Sequence, residues 1–167
     1  MFALLAHVSA DHGFAAGLLH PLTGLDHLLA MVAVGLFAAR AARPKLAPAT
    51  FVLAMALGLA SGGLGVPPLE LGVALSVVAL GLLVAFGSRL APSLALTLVA
   101  TAGLLHGHAH GAEAPTSSAL ALFALGALLS TAALHLTGLV LARRLSTDLV
   151  RVGGGLIATA GLVLVLA

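Results

Sequence analysis

Residues 13–39 read GFAAGLLHPLTGLDHLLAMVAVGLFAA, an apolar run that continues to the first arginine of the chain. A helix rises about 1.5 Å per residue, so about 20 apolar residues cross the ~30 Å hydrocarbon core of a bilayer. The run exceeds that length and predicts a membrane-spanning helix. Its middle nevertheless holds the polar side chains of His20, Asp26 and His27, which need an explanation of their own.

The composition of the whole chain extends this interpretation. Of 167 residues, 61% are hydrophobic and 7% are charged, against about 25% charged residues in a soluble domain. This composition predicts an integral membrane protein that lies in the lipid bilayer. The chain has no cysteine, so neither a disulfide framework nor a thiolate metal site is available to it. Seven Lys and Arg against five Asp and Glu are too few to indicate a nucleic-acid surface.

Breaks at Pro, Gly and charged residues divide the chain into six apolar stretches. They predict an all-α fold, a polytopic membrane protein with a single transmembrane domain over residues 1–167, built as a compact bundle of six helices. Small residues in GLASGGLG (58–65) and VGGGLIATAG (152–161) favour close packing of those helices. The six predicted spans are 13–39, 47–64, 69–87, 92–113, 117–142 and 149–166.

Basic residues predict the orientation of the bundle. All of them fall in or directly flank three alternate connections, which the positive-inside rule makes cytoplasmic. With six spans, both termini then face the periplasm of a bacterium. Residues 1–12, MFALLAHVSADH, lack a basic n-region and are too short for a full signal peptide, so either a signal has been trimmed or the first helix inserts without one. The basic residues are Arg40, Arg43, Lys45, Arg89, Arg143, Arg144 and Arg151.

A first polar cluster lies inside the first span. An aspartate near the bilayer centre costs about 2.5 to 3.5 kcal/mol on insertion scales, so it tends to face a cavity and a partner. On an uninterrupted helix His20 and His27 share a face, with Asp26 about 100° away. Pro21 and Gly24 permit a kink or an unwound segment that would bring the three side chains together. The alternative is that the three only form hydrogen bonds between helices.

A second cluster ends the fourth span, where residues 104–115 read LLHGHAHGAEAP. On a helix His106, His110 and Glu113 occupy one face, while His108 points elsewhere. Imidazoles with a carboxylate suit borderline divalent ions such as Ni²⁺, Co²⁺, Zn²⁺ or Cu²⁺. A histidine-rich loop that collects metal weakly, or a pH-sensitive surface, is the alternative. The two clusters lie at similar depth, so they are expected to meet in one polar cavity.

Both stretches also resemble a known family. HPLTGLDHLLAMVAVG (20–35), with its His-x5-Asp-His, and HGHAHGAE (106–113) are similar to motifs of the HupE/UreJ family of bacterial membrane proteins, associated with nickel supply to hydrogenase and urease. The resemblance covers essentially the whole chain and extends to STAALHLTG (130–138). It implies a nickel or cobalt permease of the cytoplasmic membrane that works without ATP. The functional positions it implies are His20, Asp26, His27, His106, His110 and Glu113.

Other polar residues are secondary candidates for the metal path. Glu70 opens the third span, where it either helps metal reach the protein or favours the helix dipole. His135 is either an exit-side ligand or a histidine bonded to a carbonyl, and His108 completes this group. His7, Asp11 and His12 precede the first span, where they could gather metal. The family resemblance implies nickel as the expected cargo, with cobalt as the alternative and cytoplasmic metal-acceptor proteins as further partners.

The expected activity is transport rather than catalysis. The chain has no G-x-x-x-x-G-K-[ST] loop, which argues against ATP hydrolysis, and no catalytic cofactor is expected. Ni²⁺ or Co²⁺ is therefore expected only as the transported ion. A membrane metal sensor or scaffold would hold the same ion without passing it. An intramembrane metalloenzyme would use the same ligand types, but the chain has no H-E-x-x-H helix.

Overall fold

The computed structural model describes residues 12–62, 69–114 and 119–167, and these residues form helices without any strand. A short 3₁₀-helix, Gly87–Arg89, follows the fourth α-helix. The seven α-helices of these residues are α1 His12–Thr23, α2 Leu25–Ala38, α3 Leu46–Gly62, α4 Glu70–Phe86, α5 Pro92–Glu113, α6 Leu120–Arg144 and α7 Thr147–Leu166.

The observed bounds lie close to the predicted spans except in the first of them. The span predicted for residues 92–113 coincides with α5, while the predicted ends at residues 64 and 117 fall outside the described residues. The prediction of one continuous helix over 13–39 is wrong, because this stretch forms two helices, α1 and α2, that meet at an angle of 81°. Of the two breaks that the sequence permitted, the helix continues through Pro21 and stops at Gly24.

Local hydrogen bonds stabilise this break. Gly24 has extended backbone, with φ −91° and ψ 120°, so it cannot continue the helix. On one side, the Thr23 hydroxyl donates to the His20 carbonyl at 2.8 Å. On the other, the Gly24 carbonyl accepts from the Leu28 amide at 3.0 Å and opens α2. Backbone groups beside the bend therefore keep partners, as they must in an apolar bundle.

Two of the helices are long and apolar enough to cross a membrane by themselves. In the described part of the chain these are α6 and α7, and the bent pair α1 and α2 meets the same standard when taken as one span. Helices α3 and α4 are apolar but have 17 residues each, or about 26 Å at the usual helical rise. The structure thus supports an all-helical membrane protein and leaves the count of six spans a prediction.

Glycines bring the helices together in pairs. The most extensive contacts join α3 with α5 and α4 with α7. A Cβ at Gly107 of α5 would collide with the Met55 carbonyl of α3, and one at Gly154 of α7 would lie 2.8 Å from the Gly81 carbonyl of α4. Backbones this close are characteristic of membrane helices, where small residues replace the hydrophobic driving force.

Helix α6 packs against both arms of the bent pair. A Cβ at Gly126 would collide with the Phe14 carbonyl of α1, and a Cβ at Gly138 would collide with the Val32 carbonyl of α2. Near the basic end of α2, the Arg40 guanidinium donates to the Ala142 carbonyl at 3.3 Å and to the Thr147 hydroxyl. The contacts of α6 with both arms therefore hold the angle between α1 and α2.

Candidate metal centre

The bend places His20 at the end of α1 and His27 in the first turn of α2. Their ring centroids lie 5.9 Å apart, although the two residues no longer share the face of one helix. Asp26 Oδ1 lies 2.8 Å from both the backbone nitrogen and Nδ1 of His27. The break that the sequence permitted at Gly24 therefore brings the three side chains together, because the chain turns there and the carboxylate folds back onto its neighbour.

This hydrogen bond determines which nitrogen of His27 can bind a ligand. An ionised carboxylate only accepts hydrogen bonds, so Nδ1 of His27 carries the proton that Asp26 receives. The lone pair then resides on Nε2, which is buried and has no hydrogen-bond partner among the described residues. Metal-binding histidines are commonly oriented by such a carboxylate on their other nitrogen. Asp26 is thus placed to orient His27.

Four histidine rings from three helices converge at this point. His110 lies between His20 and His27, with ring centroids 4.7 Å and 4.5 Å away. His27 is also 4.7 Å from His106. On the other side, Nε2 of His20 lies 2.9 Å from Oε2 of Glu113. The side chains form a row in the order Glu113, His20, His110, His27 and His106, here named the histidine row.

One serine hydroxyl orients the His106 ring at the end of the row. Ser76 of α4 donates its hydroxyl proton to the Val73 carbonyl at 2.7 Å, and its Oγ lies 3.0 Å from Nε2 of His106. The serine oxygen must then accept from Nε2 of His106, which leaves the lone pair on Nδ1. Sequence reasoning missed Ser76, although a single serine in the apolar interior of α4 was a usable signal.

Several ring nitrogens of the row have no protein partner. His106 and His110 are fully buried. Within the described ranges, Nδ1 of His106 and both nitrogens of His110 lack a hydrogen-bond partner. A buried polar atom without a partner costs about 1 to 3 kcal/mol. Such a concentration of unsatisfied imidazole nitrogens is expected where a ligand binds.

The row is not a ready-made metal cage. No group of three His, Cys, Asp or Glu side chains, within the residues that the structure describes, already has the arrangement that holds an ion. The rings instead contact one another at steep angles, between 59° and 85° for the three closest pairs. Small rotations of the side chains would be needed to direct two or three nitrogens at one ion.

The structure brings the six main sequence candidates together and separates the secondary ones. His108 is buried on the side of α5 that faces α3, where its Nδ1 lies 3.0 Å from Oγ of Ser61. Glu70 is exposed at the start of α4, and His135 lies deeper, 5.1 Å from the Phe51 ring. His7 and Asp11 lie outside the described residues, as does the side chain of His12.

Comparison with known proteins identifies the family. The sequence model of the family described as HupE / UreJ protein matches residues 1–164. The chain belongs to the HupE/UreJ family. This HupE/UreJ chain is 42% identical over 166 residues to Protein HupE of Rhizobium leguminosarum bv. viciae, with 93% of this chain and 86% of that protein covered. No solved structure matches it. The HupE/UreJ family is a transporter-type family, not an enzyme family, and is associated with nickel and cobalt transport for hydrogenase and urease.

Replacing Gly24 by alanine in this HupE/UreJ chain should impair metal handling without unfolding the protein. The added Cβ would lie 2.8 Å from Oδ1 of Asp26 and 3.1 Å from Nδ1 of His27, so the hydrogen bond between them must shift. The backbone angles of Gly24 are accessible to alanine. Loss of an orienting partner typically lowers metal affinity or activity about 10- to 100-fold, and we expect about tenfold less metal uptake.

The matched control is Gly155→Ala, because a Cβ there meets no atom within 4 Å. Both variants should give as much folded protein in detergent as the parent. Parent-level uptake by Gly24→Ala would show that the contact of Asp26 with His27 does not matter for transport.

Proposed function

We propose that this chain transports Ni²⁺, with Co²⁺ as the second cargo, across the bacterial cytoplasmic membrane and supplies hydrogenase or urease maturation. It does so without ATP hydrolysis. In the proposed topology, α1 and α2 form one broken span, and α3 to α7 form five more. Both termini then face the periplasm and the basic connections face the cytoplasm. Helix α3 begins directly after the basic segment around Lys45, which is consistent with this orientation.

The observation that carries the proposal is the histidine row. A purely structural role gives no reason to bury His106 and His110 completely while their ring nitrogens lack hydrogen-bond partners among the described residues. A borderline divalent ion supplies the missing partner, since imidazole suits Ni²⁺ and Zn²⁺ whereas Mg²⁺ and Ca²⁺ prefer oxygen. The row also has a direction, from half-exposed Glu113 to fully buried His106. A graded row of donors fits passage of an ion better than storage.

The mechanism follows from the order of the donors. Glu113 and His20 meet the hydrated ion first, and the carboxylate supplies compensating charge. His110 contacts the rings of both His20 and His27, so the ion can exchange one imidazole for another while water is removed. His27, oriented by Asp26, then shares the ion with His106. Conduction requires sites that replace water but still release the ion, and several weak sites in succession achieve this.

The proposal is tested by uptake of radioactive Ni²⁺ into proteoliposomes that contain the purified full chain. We expect the parent to accumulate Ni²⁺ and His27→Ala to lose most of that uptake. Asp26→Asn can still accept a hydrogen bond but carries no charge, so its uptake should fall to an intermediate level. Uptake by His27→Ala at the parent rate would exclude the histidine row as the transport site.

The same preparation separates the rival functions. A sensor or scaffold would bind Ni²⁺ in detergent. Liposomes that contain it would then take up no more Ni²⁺ than liposomes without protein. A metalloenzyme would form a product from a membrane substrate. Competition by Co²⁺, Zn²⁺ and Mg²⁺ then ranks the cargo: Co²⁺ should compete strongly and Mg²⁺ weakly, because the row offers mainly nitrogen donors.

A further inference from the structure

A buried histidine outside the histidine row has the properties of a second binding position. His135 of α6 is 3% exposed, and in the described residues neither of its ring nitrogens has a hydrogen-bond partner. Among the described residues, the Phe51 ring lies beside it, with ring centroids 5.1 Å apart and the ring planes near a right angle. The alternative that the sequence permitted, a histidine bonded to a neighbouring carbonyl, is therefore wrong for the described residues.

His135 lies beside open space. It lines a broad, open and mostly apolar cavity of about 500 Å³ between α3 and α6, together with Pro48, Val52 and Leu139. Lys45 and Arg143 line the same cavity. Lys45 directly precedes α3 and Arg143 lies in the last turn of α6, so both are at helix ends that the proposed topology places on the cytoplasmic side. An unsatisfied imidazole thus stands between the core of the bundle and a cavity on its basic side.

Thioether sulfurs lie between this histidine and the histidine row. The Thr131 hydroxyl lies 3.2 Å from Sδ of Met31 and 3.3 Å from Sδ of Met55. All three side chains are fully buried. On their helices, Met31 follows His27 by one turn and Thr131 precedes His135 by one turn, so each pair lies along one face. A column of donors therefore continues from His27 through the two sulfurs to His135.

Phe51 separates the two histidine positions on the α3 side of this column. Its ring centroid lies 6.0 Å from His106 and 5.1 Å from His135, and the ring is fully buried. The His106 and His135 rings therefore contact the same aromatic side chain from different directions. An ion that leaves His106 would meet the thioethers of Met31 and Met55 and the Thr131 hydroxyl before the next imidazole.

We propose that His135 is an inner binding position for the transported metal ion, from which a borderline divalent cation passes into the cavity bounded by Lys45 and Arg143. This inference rests on the proposed transport function and extends it. Thioethers bind such ions more weakly than imidazole, so Met31 and Met55 favour passage over retention. The two cationic side chains oppose accumulation of the ion in the cavity, so metal that leaves His135 continues to the cytoplasm.

The first test uses the absence of cysteine from the chain. His135→Cys introduces a single thiol that remains a metal ligand. We expect a membrane-impermeant thiol reagent to modify it in inside-out vesicles, and Ni²⁺ to slow that modification about tenfold. Leu139→Cys, on the same cavity but without a predicted metal contact, is the control and should react at a rate independent of Ni²⁺. Equal rates with and without Ni²⁺ at position 135 would overturn the inference.

The second test separates this inference from the transport proposal. His135→Ala and His135→Gln should lower Ni²⁺ uptake about tenfold while Ni²⁺ still binds the outer histidine row in detergent. Ser130→Ala, another buried polar position of α6, should transport like the parent. Parent-level uptake by both His135 variants would refute the inner position alone. A parent protein that takes up no Ni²⁺ at all would refute the proposed function.

Two observations distinguish loss of the inner position from misfolding of a His135 variant. Retained Ni²⁺ binding at the outer row reports that a His135 variant is folded, so low uptake by such a variant supports the inner position. His135→Cys provides the independent check, because a thiolate can replace imidazole as a ligand. Recovery of uptake in His135→Cys relative to His135→Ala supports coordination at this position, whereas equal uptake by those two variants contradicts it.

Discussion

Ni²⁺ uptake should fall about 100-fold when His110 is replaced by alanine, the largest functional effect expected in this chain. His110 is the middle member of the histidine row, with rings on both sides within 4.7 Å. Its two nitrogens have no other partner among the described residues. Loss of a group that only orients a ligand costs about 10- to 100-fold, and removal of a central donor should reach the upper end of that range.

His108 provides the matched control for this prediction. It lies two residues away on the same helix and is also buried, but its Nδ1 is bonded to Ser61 of α3. His108→Ala removes the same number of atoms and the hydrogen bond to Ser61, so uptake should stay within about threefold of the parent. Equal losses in His108→Ala and His110→Ala would mean that general packing of α5, and not the row, controls transport.

A large effect on stability is expected at Gly107. A Cβ there would collide with the Met55 carbonyl of α3, and backbone atoms cannot rotate away as a side chain can. Overpacking costs about 1 to 3 kcal/mol, and at about 2 to 4 °C per kcal/mol for a chain of this size Gly107→Ala should lower Tm by roughly 2 to 12 °C. Thermal unfolding in detergent, followed by far-UV circular dichroism, measures the shift.

Gly153→Ala is the corresponding control, because a Cβ at Gly153 of α7 meets nothing within 4 Å. Alanine favours a helix over glycine by about 1 kcal/mol, so Tm should remain unchanged or rise slightly. If both variants lost the same Tm, the shift would reflect helical glycine in general and the close contact of α3 with α5 would not explain it.

The sequence predicts the helices well where strong local signals bound them. Pro92 occupies the first turn of α5 and Pro115 follows its end, so both bounds of α5 were predicted. The first span lacked such a signal, because Pro21 and Gly24 both permit a break. The choice of Gly24 depends on α6, whose contacts with Phe14 and Val32 hold the two arms at their angle. Tertiary contacts of this kind cannot be derived from a single span.

The candidate site was predictable as far as helical periodicity extends. The i, i+4, i+7 spacing places His106, His110 and Glu113 on one face, and they do meet His20 and His27. The roles of hydrogen-bond partners were not predictable, since they depend on groups brought together by folding. Ser76 comes from α4, six residues after Glu70, and nothing in the sequence relates it to His106. The metal roles of all these residues remain predictions.

The glycine contacts divide the bundle into units that hold the donors separately. Helices α1, α2 and α6 are locked together at Gly126 and Gly138, whereas α3 and α5 are locked at Gly107. His20 and His27 belong to the first unit, and His106, His110 and Glu113 belong to the second. An ion bound by donors from both units would cross-link them at their interface. The distance between the two units, more than the flexibility of any one side chain, would then determine the affinity for the ion and the rate of its release.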